Sequence, residues 1–209
     1  MYKRQALVLA VFLNGKIKGR GAFRAAVYLP NITSLVAVAF TFQLLLDKNF
    51  GLLNMLLSYI GISKINWLGS PFGARISVDI LMVWRWLGYN AIIMLAGLQS
   101  IPEELYEAAL IDGANKIQSF FRITVPLMKP VILFTLVLST IGTFRMFTEV
   151  FILTGGGPAN STLTPILHLY NTGFNWFKFG YASSITYLII FITLILSFIQ
   201  MKVLQEKGI

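Results

Sequence analysis

The sequence predicts an all-α protein, a polytopic bundle of transmembrane helices with one helical segment held outside the membrane. Hydrophobic residues make up 56% of the 209 residues and charged residues only 12%, whereas soluble domains carry about a quarter charged residues. The mean hydropathy is +0.74. The apolar residues are also gathered in long runs, and about 20 such residues are what an α-helix needs to cross a bilayer.

The chain begins with a partial span at residues 1–13, in which the apolar run at 5–13 is too short to cross a bilayer. No small-residue cleavage site follows it, as a signal peptide would require. We interpret it as the end of a longer first span whose upstream part is absent from this chain. The basic loop that follows, 14–21 with Arg24, contains no acidic residue. A cytoplasmic loop is favoured there over a nucleic-acid site.

We expect four complete spans after this partial one, about five in all, at residues 27–46, 76–98, 131–153 and 181–203. Pro30 lies near the start of the first complete span, where neighbouring groups can re-satisfy the carbonyl that it frees. The loop between residues 47 and 75 is predicted to lie on the opposite face from the basic loop. It contains an interfacial helix at 52–62, and Trp67 and Phe72 are predicted anchors at the membrane interface.

The one long polar passage, residues 99–130, is predicted to form a helix–turn–helix elbow outside the membrane. Ser100 and Glu103 have the spacing of a capping box, in which each side chain bonds the other residue's backbone N–H. Gly113 is the expected end of the first helix, because the turn there requires a residue that tolerates positive φ. A second short helix is expected at about 115–122.

The distribution of basic residues predicts the orientation, since cytoplasmic loops carry an excess of lysine and arginine. Lys48, Lys64, Arg75 and Lys178 fall on one side of the membrane. The elbow's side holds the larger set: Lys16, Lys18, Arg20, Arg24, Lys116, Arg122, Lys129, Lys202 and Lys207. The elbow and the C-terminus are therefore predicted to be cytoplasmic.

The elbow resembles the EAA loop of bacterial ABC import permeases. The matching positions are Glu107, Ala108, Ala109, Gly113, Ile123 and Pro126, and Val125 stands where the family usually has leucine. The resemblance implies a single ABC transmembrane type-1 domain over residues 1–209, truncated at its N-terminus, with spans as above and residues 99–130 as its EAA loop. It implies that Glu107 contacts a basic residue of an ATPase subunit, that Ala108 and Ala109 pack closely there, and that Gly113 makes the turn.

The same resemblance implies the partners of a multi-pass subunit in a bacterial inner membrane: a second permease, two ATP-binding subunits and an extracytoplasmic solute-binding protein. The sequence carries no nucleotide-binding signature, so ATP is expected on the partner subunit, with no cofactor and no catalytic residue here. Cysteine is absent and His168 is the single histidine, so no metal site is expected. A coupling helix is favoured over a helix lying on lipid headgroups. Helices that lie on headgroups normally have a basic polar face, whereas this helix carries three acidic residues.

Three further motifs look like the carbohydrate-importing branch, and they lie at residues 86–89, 96–102 and 154–158. Counting from these motifs, the resemblance implies a path for a sugar or sugar-phosphate solute lined by Leu87, Gly88, Asn90, Ser139, Gly142, Thr143 and Met146. Two interpretations stay open for the aromatic side chains of Tyr89, Phe144 and Phe147: stacking on sugar rings, or contact with lipid or a partner subunit.

Arg145 and Glu149 are four residues apart, which places them on one face of a continuous helix. One interpretation is a structural ion pair, and the other is a polar lining of the solute path. A different class of protein, an ion-gradient-driven secondary transporter, would use the pair as its coupling site. A purely structural membrane subunit is a further alternative, but neither class accounts for the spacing within the elbow.

Overall fold

The computed structural model describes residues 3–15 and 18–206, and helix is the regular structure of this part of the chain. The N-terminal part forms α1 (Lys3–Asn14), α2 (Arg20–Ile32), α3 (Leu35–Leu45), α4 (Leu52–Tyr59) and α5 (Pro71–Gln99). The C-terminal part forms α6 (Glu103–Ile111), α7 (Lys116–Ser119), a π-helical turn (Phe120–Thr124), α8 (Val125–Leu127), α9 (Lys129–Phe144), α10 (Thr148–Leu153), α11 (Pro165–Tyr170), a second π-helical turn (Asn171–Asn175) and α12 (Phe179–Glu206). The prediction of an all-α fold is confirmed.

Two helices in the described residues, α5 and α12, are by themselves long and apolar enough to cross a membrane. Two helix pairs reach that length only when each is counted as one broken span: α2 with α3, and Lys116–Leu127 with α9. The described part therefore offers two to four candidate spans, and the 12-residue α1 stands at the expected partial span. The limits of the membrane crossings and the single-domain boundary stay predictions.

The span predicted at 27–46 is not one continuous helix, because α2 ends at Ile32 and α3 begins at Leu35. Pro30 lies in the last turn of α2, where it has no N–H to donate and weakens the helix. Ser34 then leaves the helical conformation, and its carbonyl accepts the N–H of Val38 at 3.0 Å, which starts α3. Apolar composition continues across this break, so hydropathy does not reveal it.

The span predicted at 131–153 is likewise not one continuous helix. It begins earlier, at Lys129, and α9 stops at Phe144, before α10 starts at Thr148. The break frees the carbonyl of Met146, which accepts a hydrogen bond from Thr164 Oγ1 at 2.8 Å. That bond satisfies a polar backbone group which would otherwise be costly in an apolar surrounding.

The basic loop is shorter than predicted, because Arg20 and Arg24 lie on α2 rather than in the loop. Lys16 and Lys207, which contributed to the orientation count, lie outside the described residues. The remaining members of that count lie within the described part, and the cytoplasmic assignment of the elbow stays a prediction.

The described residues divide into two compact units, and the first comprises those that lie within 1–31, 85–140 and 195–209. Its core contains Ala6 and Ala10 of α1, which lie one helical turn apart, together with Ala91 and Met94 of α5 and Met128. Small side chains at such positions allow helix backbones to approach closely, which is a main source of packing energy between helices in lipid.

The second unit comprises residues 32–84 and 141–194. Its core includes Val38 of α3, Leu81 of α5, Val150 of α10 and Leu167 of α11. Each of these side chains is at most 5% exposed.

The loop at 47–70 in this unit is organised around Asn54. This side chain is 1% exposed, donates to the carbonyl of Ile65 at 2.9 Å and accepts from Trp67 Nε1 at 3.0 Å. The predicted interfacial helix at 52–62 is shorter, because α4 ends at Tyr59 and Gly61 follows with φ +78°. The indole N–H of Trp67 is thus committed to a hydrogen bond within the protein.

Candidate functional site

The first arm of the elbow is α6, and it begins without a side-chain cap. Pro102 occupies the N-cap position, and Glu103 and Glu104 lie in the first turn, where negative charge complements the helix dipole. The predicted capping box between Ser100 and Glu103 is wrong. Ser100 Oγ instead donates to the carbonyl of Gly97 at 2.8 Å, because Ser100 still follows the last turn of α5.

Gly113 ends the first arm as expected, with φ +80°. The N–H of Gly113 donates to the carbonyl of Leu110 at 3.0 Å, and the N–H of Ala114 donates to the carbonyl of Ala109 at 2.8 Å. This pair of bonds is the Schellman motif, which satisfies the last carbonyls of a helix by placing one residue in the left-handed region. The direction of the chain after α6 therefore depends on Gly113.

The second arm begins with a capping box that the sequence analysis missed. Asn115 Oδ1 accepts from the N–H of Gln118 at 2.9 Å, and Gln118 Oε1 accepts from the N–H of Asn115 at 2.9 Å. The signal was present in the sequence, since asparagine followed three residues later by glutamine has the required spacing. The box fixes the start of α7 directly after the Gly113 turn.

The predicted helix at 115–122 extends further, because a π-helical turn joins α7 to α8. The N–H of Val125 reaches the carbonyl of Phe120, one residue further back than in an α-helix. Pro126 has no N–H and would clash with the carbonyl of Arg122 in regular α geometry, and the wider turn relieves this clash. The second arm then meets α9 at an angle of 60°, next to Pro130.

The exposed surface of the elbow is both acidic and apolar. Glu107 and Ala108 are exposed, and Ala109, Ile123 and Val125 are half-buried. Large apolar side chains are exposed in both arms: Leu110 73%, Ile111 86%, Ile117 69% and Phe121 64%. Exposed apolar side chains of this size in one short segment are suited to a groove on another protein.

The inner surface of the elbow encloses a concavity of about 530 Å³ between the two arms. Tyr106 and Thr124 lie in its wall, and their hydroxyl groups are 2.8 Å apart and hydrogen-bonded. Thr124 is 5% exposed. The remaining lining residues are Leu110, Ala114, Asn115, Lys116, Ser119 and Phe120.

The predicted solute-path residues of the first unit are packed inside it in this conformation. Asn90 is 1% exposed, its Oδ1 accepts from Lys3 Nζ at 2.8 Å and its Nδ2 donates to the carbonyl of Trp86 at 2.7 Å. Gly88 is buried where α5 passes α2, and Leu87 borders an apolar cavity of about 470 Å³ beside α1. Their role in a solute path stays a prediction, whereas their role in packing the first unit is seen directly in the structure.

The predicted path residues on α9 and after it are more accessible. Ser139, in the first unit, is half-buried. In the second unit, Thr143 is exposed, and a Cβ added at Gly142 would meet nothing within 4 Å. Met146 is half-buried at the helix break and offers its carbonyl to Thr164. A broken helix is a usual place for polar backbone at membrane depth to meet a cavity.

Arg145 and Glu149 do not share a helical face, because the break after Phe144 separates them. Arg145 is exposed and borders a cavity of about 200 Å³ with Thr186 and Thr193, whereas Glu149 is 5% exposed in the first turn of α10. The four-residue spacing therefore does not produce the pair that was predicted from a continuous helix.

Two of the aromatic side chains considered for sugar stacking are already stacked on neighbouring aromatic rings of the protein. Tyr89 stacks with Tyr28 at a centroid distance of 6.5 Å, and Phe147 stacks with Phe151 at 5.1 Å. In the described residues, no group of three or more histidine or acidic side chains is placed to hold a metal ion.

The geometry is that of a helical membrane protein with an exposed helical elbow, and comparison with known proteins defines its class. Residues 6–209 match the family described as "Binding-protein-dependent transport system inner membrane component". The chain belongs to this family of importer permease subunits, which are membrane components rather than enzymes.

Two relatives show the branch of the family. The lactose transport system permease protein LacF of Rhizobium radiobacter is 44% identical over 97% of this chain and 70% of its own length. The trehalose/maltose transport system permease protein MalF of Thermococcus litoralis is 40% identical over 94% of this chain and 66% of its own length. The chain thus spans about two thirds of the length of these relatives.

Two crystal structures of a bacterial ABC transporter that imports the acidic polysaccharide alginate have the same fold. One chain gives a TM-score of 0.87 with 26% identity, covering 96% of this chain and 71% of the other. The second, from a complex with an alginate-pentasaccharide-bound periplasmic protein, gives 0.85 with 26% identity, covering 95% and 70%. These matches support the predicted carbohydrate branch of ABC import permeases.

Proposed function

We propose that this chain belongs to the membrane path of an ATP-driven importer for a sugar or sugar-like solute. In this assembly it pairs with a second permease subunit and two ATP-binding subunits. A solute-binding protein delivers the solute from outside to the loops at 47–75 and 154–180. The elbow and the C-terminus then face the cytoplasm.

The observation that carries the proposal is the exposed surface of α6. Glu107 and Ala108 point away from the described core, and Gly113 fixes where the helix stops. A short helix with an exposed acid and exposed apolar side chains is suited to a groove with a basic residue. Such a contact lets closure of the ATPase subunits pull on α6 and shift the spans.

The relatives support the class of solute. Two of them are permeases for lactose and for trehalose or maltose, and a structural neighbour imports alginate. We therefore place the solute among sugars and sugar derivatives, including anionic ones such as sugar phosphates. Among the predicted path residues, Thr143 of α9 is exposed and a Cβ added at Gly142 would meet nothing within 4 Å, which favours these two positions for contact with the solute.

The test is solute uptake by the complete transporter in proteoliposomes, with the binding protein and the ATPase subunits present. Uptake of a radiolabelled disaccharide is expected to require ATP and to persist when the proton gradient is collapsed. Glu107→Lys is expected to reduce uptake at least tenfold, because it sets a positive charge against the proposed basic residue of the ATPase, where like charges cost several kcal/mol.

Glu103→Lys is the matched control, since Glu103 is also an exposed acid on α6 but lies in its first turn. We expect it to leave most of the uptake in place. Uptake that is driven by the proton gradient without ATP would instead identify a secondary transporter. Equal loss in both charge variants would show that the effect is not specific to Glu107.

A further inference from the structure

A side-chain hydrogen bond joins the two arms of the elbow, and its two residues are far apart in the sequence. Tyr106 lies on α6 and Thr124 ends the π-helical turn, 18 residues later, and their hydroxyl oxygens are 2.8 Å apart. The other side-chain hydrogen bonds of the second arm join residues three or four apart. The Tyr106–Thr124 bond therefore ties α6 to the segment that leads into α9.

Tyr106 is also the residue that α6 contributes to the core cluster of the first unit. Its ring packs against a cluster that contains Met94, Leu98 and Met128, whereas Leu110 and Ile111 on the same helix are exposed. A force applied to the exposed face of α6 therefore reaches the spans through Tyr106, through the Gly113 turn and through the short link to α5 that contains the buried Ile101.

Thr124 continues this connection toward α9. Its carbonyl accepts the N–H of Met128 at 2.9 Å, and Met128 is fully buried in the same cluster as Tyr106. A second bond of this kind, from Ile132 to the carbonyl of Met128 at 2.9 Å, lies within the first turns of α9. Thr124 thus lies between the docking helix and the start of a candidate span.

We propose that the hydrogen bond between Tyr106 and Thr124 is the joint that makes the elbow move as one body. Tyr106 is then a positioning residue for ATP-coupled transport. This inference rests on the proposed function, because it needs an ATPase that moves α6. Without the bond, α6 can tilt relative to the second arm at the Gly113 turn. Part of the movement of the ATPase subunits is then not transmitted to α9.

Tyr106→Phe and Thr124→Val remove one hydroxyl each and keep the ring and the branched shape. In the complete transporter, ATP hydrolysis and solute uptake are measured in the same proteoliposomes. We expect hydrolysis to persist and the number of solute molecules moved per ATP to fall about two- to tenfold, the range expected for one net hydrogen bond. The double variant is expected to match the single variants, because both remove the same bond.

Two controls separate this role from a general loss of structure. Thr124→Ser keeps the hydroxyl and is expected to retain the wild-type ratio of uptake to hydrolysis. Ser119→Ala removes a local bond to the carbonyl of Asn115 in the same arm and is also expected to leave the ratio unchanged. The amount of assembled transporter is measured for every variant, so that the ratio refers to intact complexes.

The inference is overturned if Tyr106→Phe moves as many solute molecules per ATP as the wild type, or if the effects of the two substitutions add. A different failure marks the proposed function. If the wild-type transporter takes up no solute with ATP, the importer assignment falls, and this inference with it. Wild-type uptake with an unchanged ratio in the variants overturns the joint alone.

Discussion

Gly88 lies where the backbone of α5 passes that of α2. A Cβ added at this position would lie 1.8 Å from the carbonyl oxygen of Val27, far inside van der Waals contact. The neighbouring atom belongs to the backbone, so no side-chain movement relieves the clash. The motif at 86–89, which points to a solute path, thus contains a residue with a definite packing task.

Gly88→Ala is therefore expected to destabilise the first unit, because α2 and α5 must separate to admit the methyl group. Overpacking of this kind costs about 1–3 kcal/mol. The effect is measured as a lower midpoint of thermal unfolding of the purified protein in detergent.

Gly142→Ala is the matched control, because a Cβ there meets nothing within 4 Å and Gly142 lies in α9. Alanine in a helix is more stable than glycine by about 0.5–1 kcal/mol, so the midpoint is expected to stay or rise. Equal loss in the two variants would contradict the assigned contact between Gly88 and Val27.

The elbow shows how several local devices produce one segment. The Schellman motif at Gly113, the capping box at Asn115 and the π-helical turn before Pro126 succeed one another within fifteen residues. Each device satisfies backbone groups at a point where the chain changes direction. The geometry of the docking surface therefore depends on backbone conformation as much as on the exposed side chains.

Gly113→Val is expected to abolish most solute uptake while the protein remains in the membrane. A Cβ at this position meets nothing within 4 Å, but φ +80° is strained for an L-residue by about 1–2 kcal/mol. Relief of this strain turns the chain away from its path after α6. Uptake and membrane content are measured together.

Gly113→Asn tests whether the backbone conformation is the cause. Asparagine adopts the left-handed region more readily than valine, so this variant is expected to keep a larger share of uptake. If valine and asparagine at this position behave alike, the strain at Gly113 does not control the elbow.

Local signals in the sequence predicted the elbow better than they predicted its surroundings. Gly113 is recognisable as a terminator because its requirement is local. Ser100 misled, because its hydroxyl is used by the preceding helix, which spacing alone does not reveal. The break after Phe144 was missed because the apolar run continues through it and because Thr164, which satisfies the freed carbonyl, is 18 residues away.

For the chain as a whole, composition predicted the helical membrane fold, and contacts distant in sequence decided the details of the predicted path. Asn90 was placed in the solute path from a neighbouring motif. The structure shows that Lys3, 87 residues earlier, occupies its amide oxygen. No local pattern reports such a partner, so the polar residues within spans are the part of the site that sequence reasoning describes least well.

The exposed apolar side chains of the elbow also bear on the life of the subunit before assembly. Leu110, Ile111, Ile117 and Phe121 are more than 60% exposed in a segment that we place in the cytoplasm. A newly made subunit that has not bound its ATPase therefore exposes apolar surface to water. Chaperones and proteases recognise surfaces of this kind.

We expect the chain to turn over severalfold faster in cells that lack the ATPase subunit, as measured by pulse-chase labelling. Ile111→Ser together with Phe121→Ser is expected to lengthen the lifetime of the unassembled subunit, because it removes apolar surface without touching the buried core. An equal lifetime with and without the ATPase would contradict this. If the lifetimes differ as expected, the proposed docking surface has a second role, because it marks the subunit for degradation until the ATPase covers it.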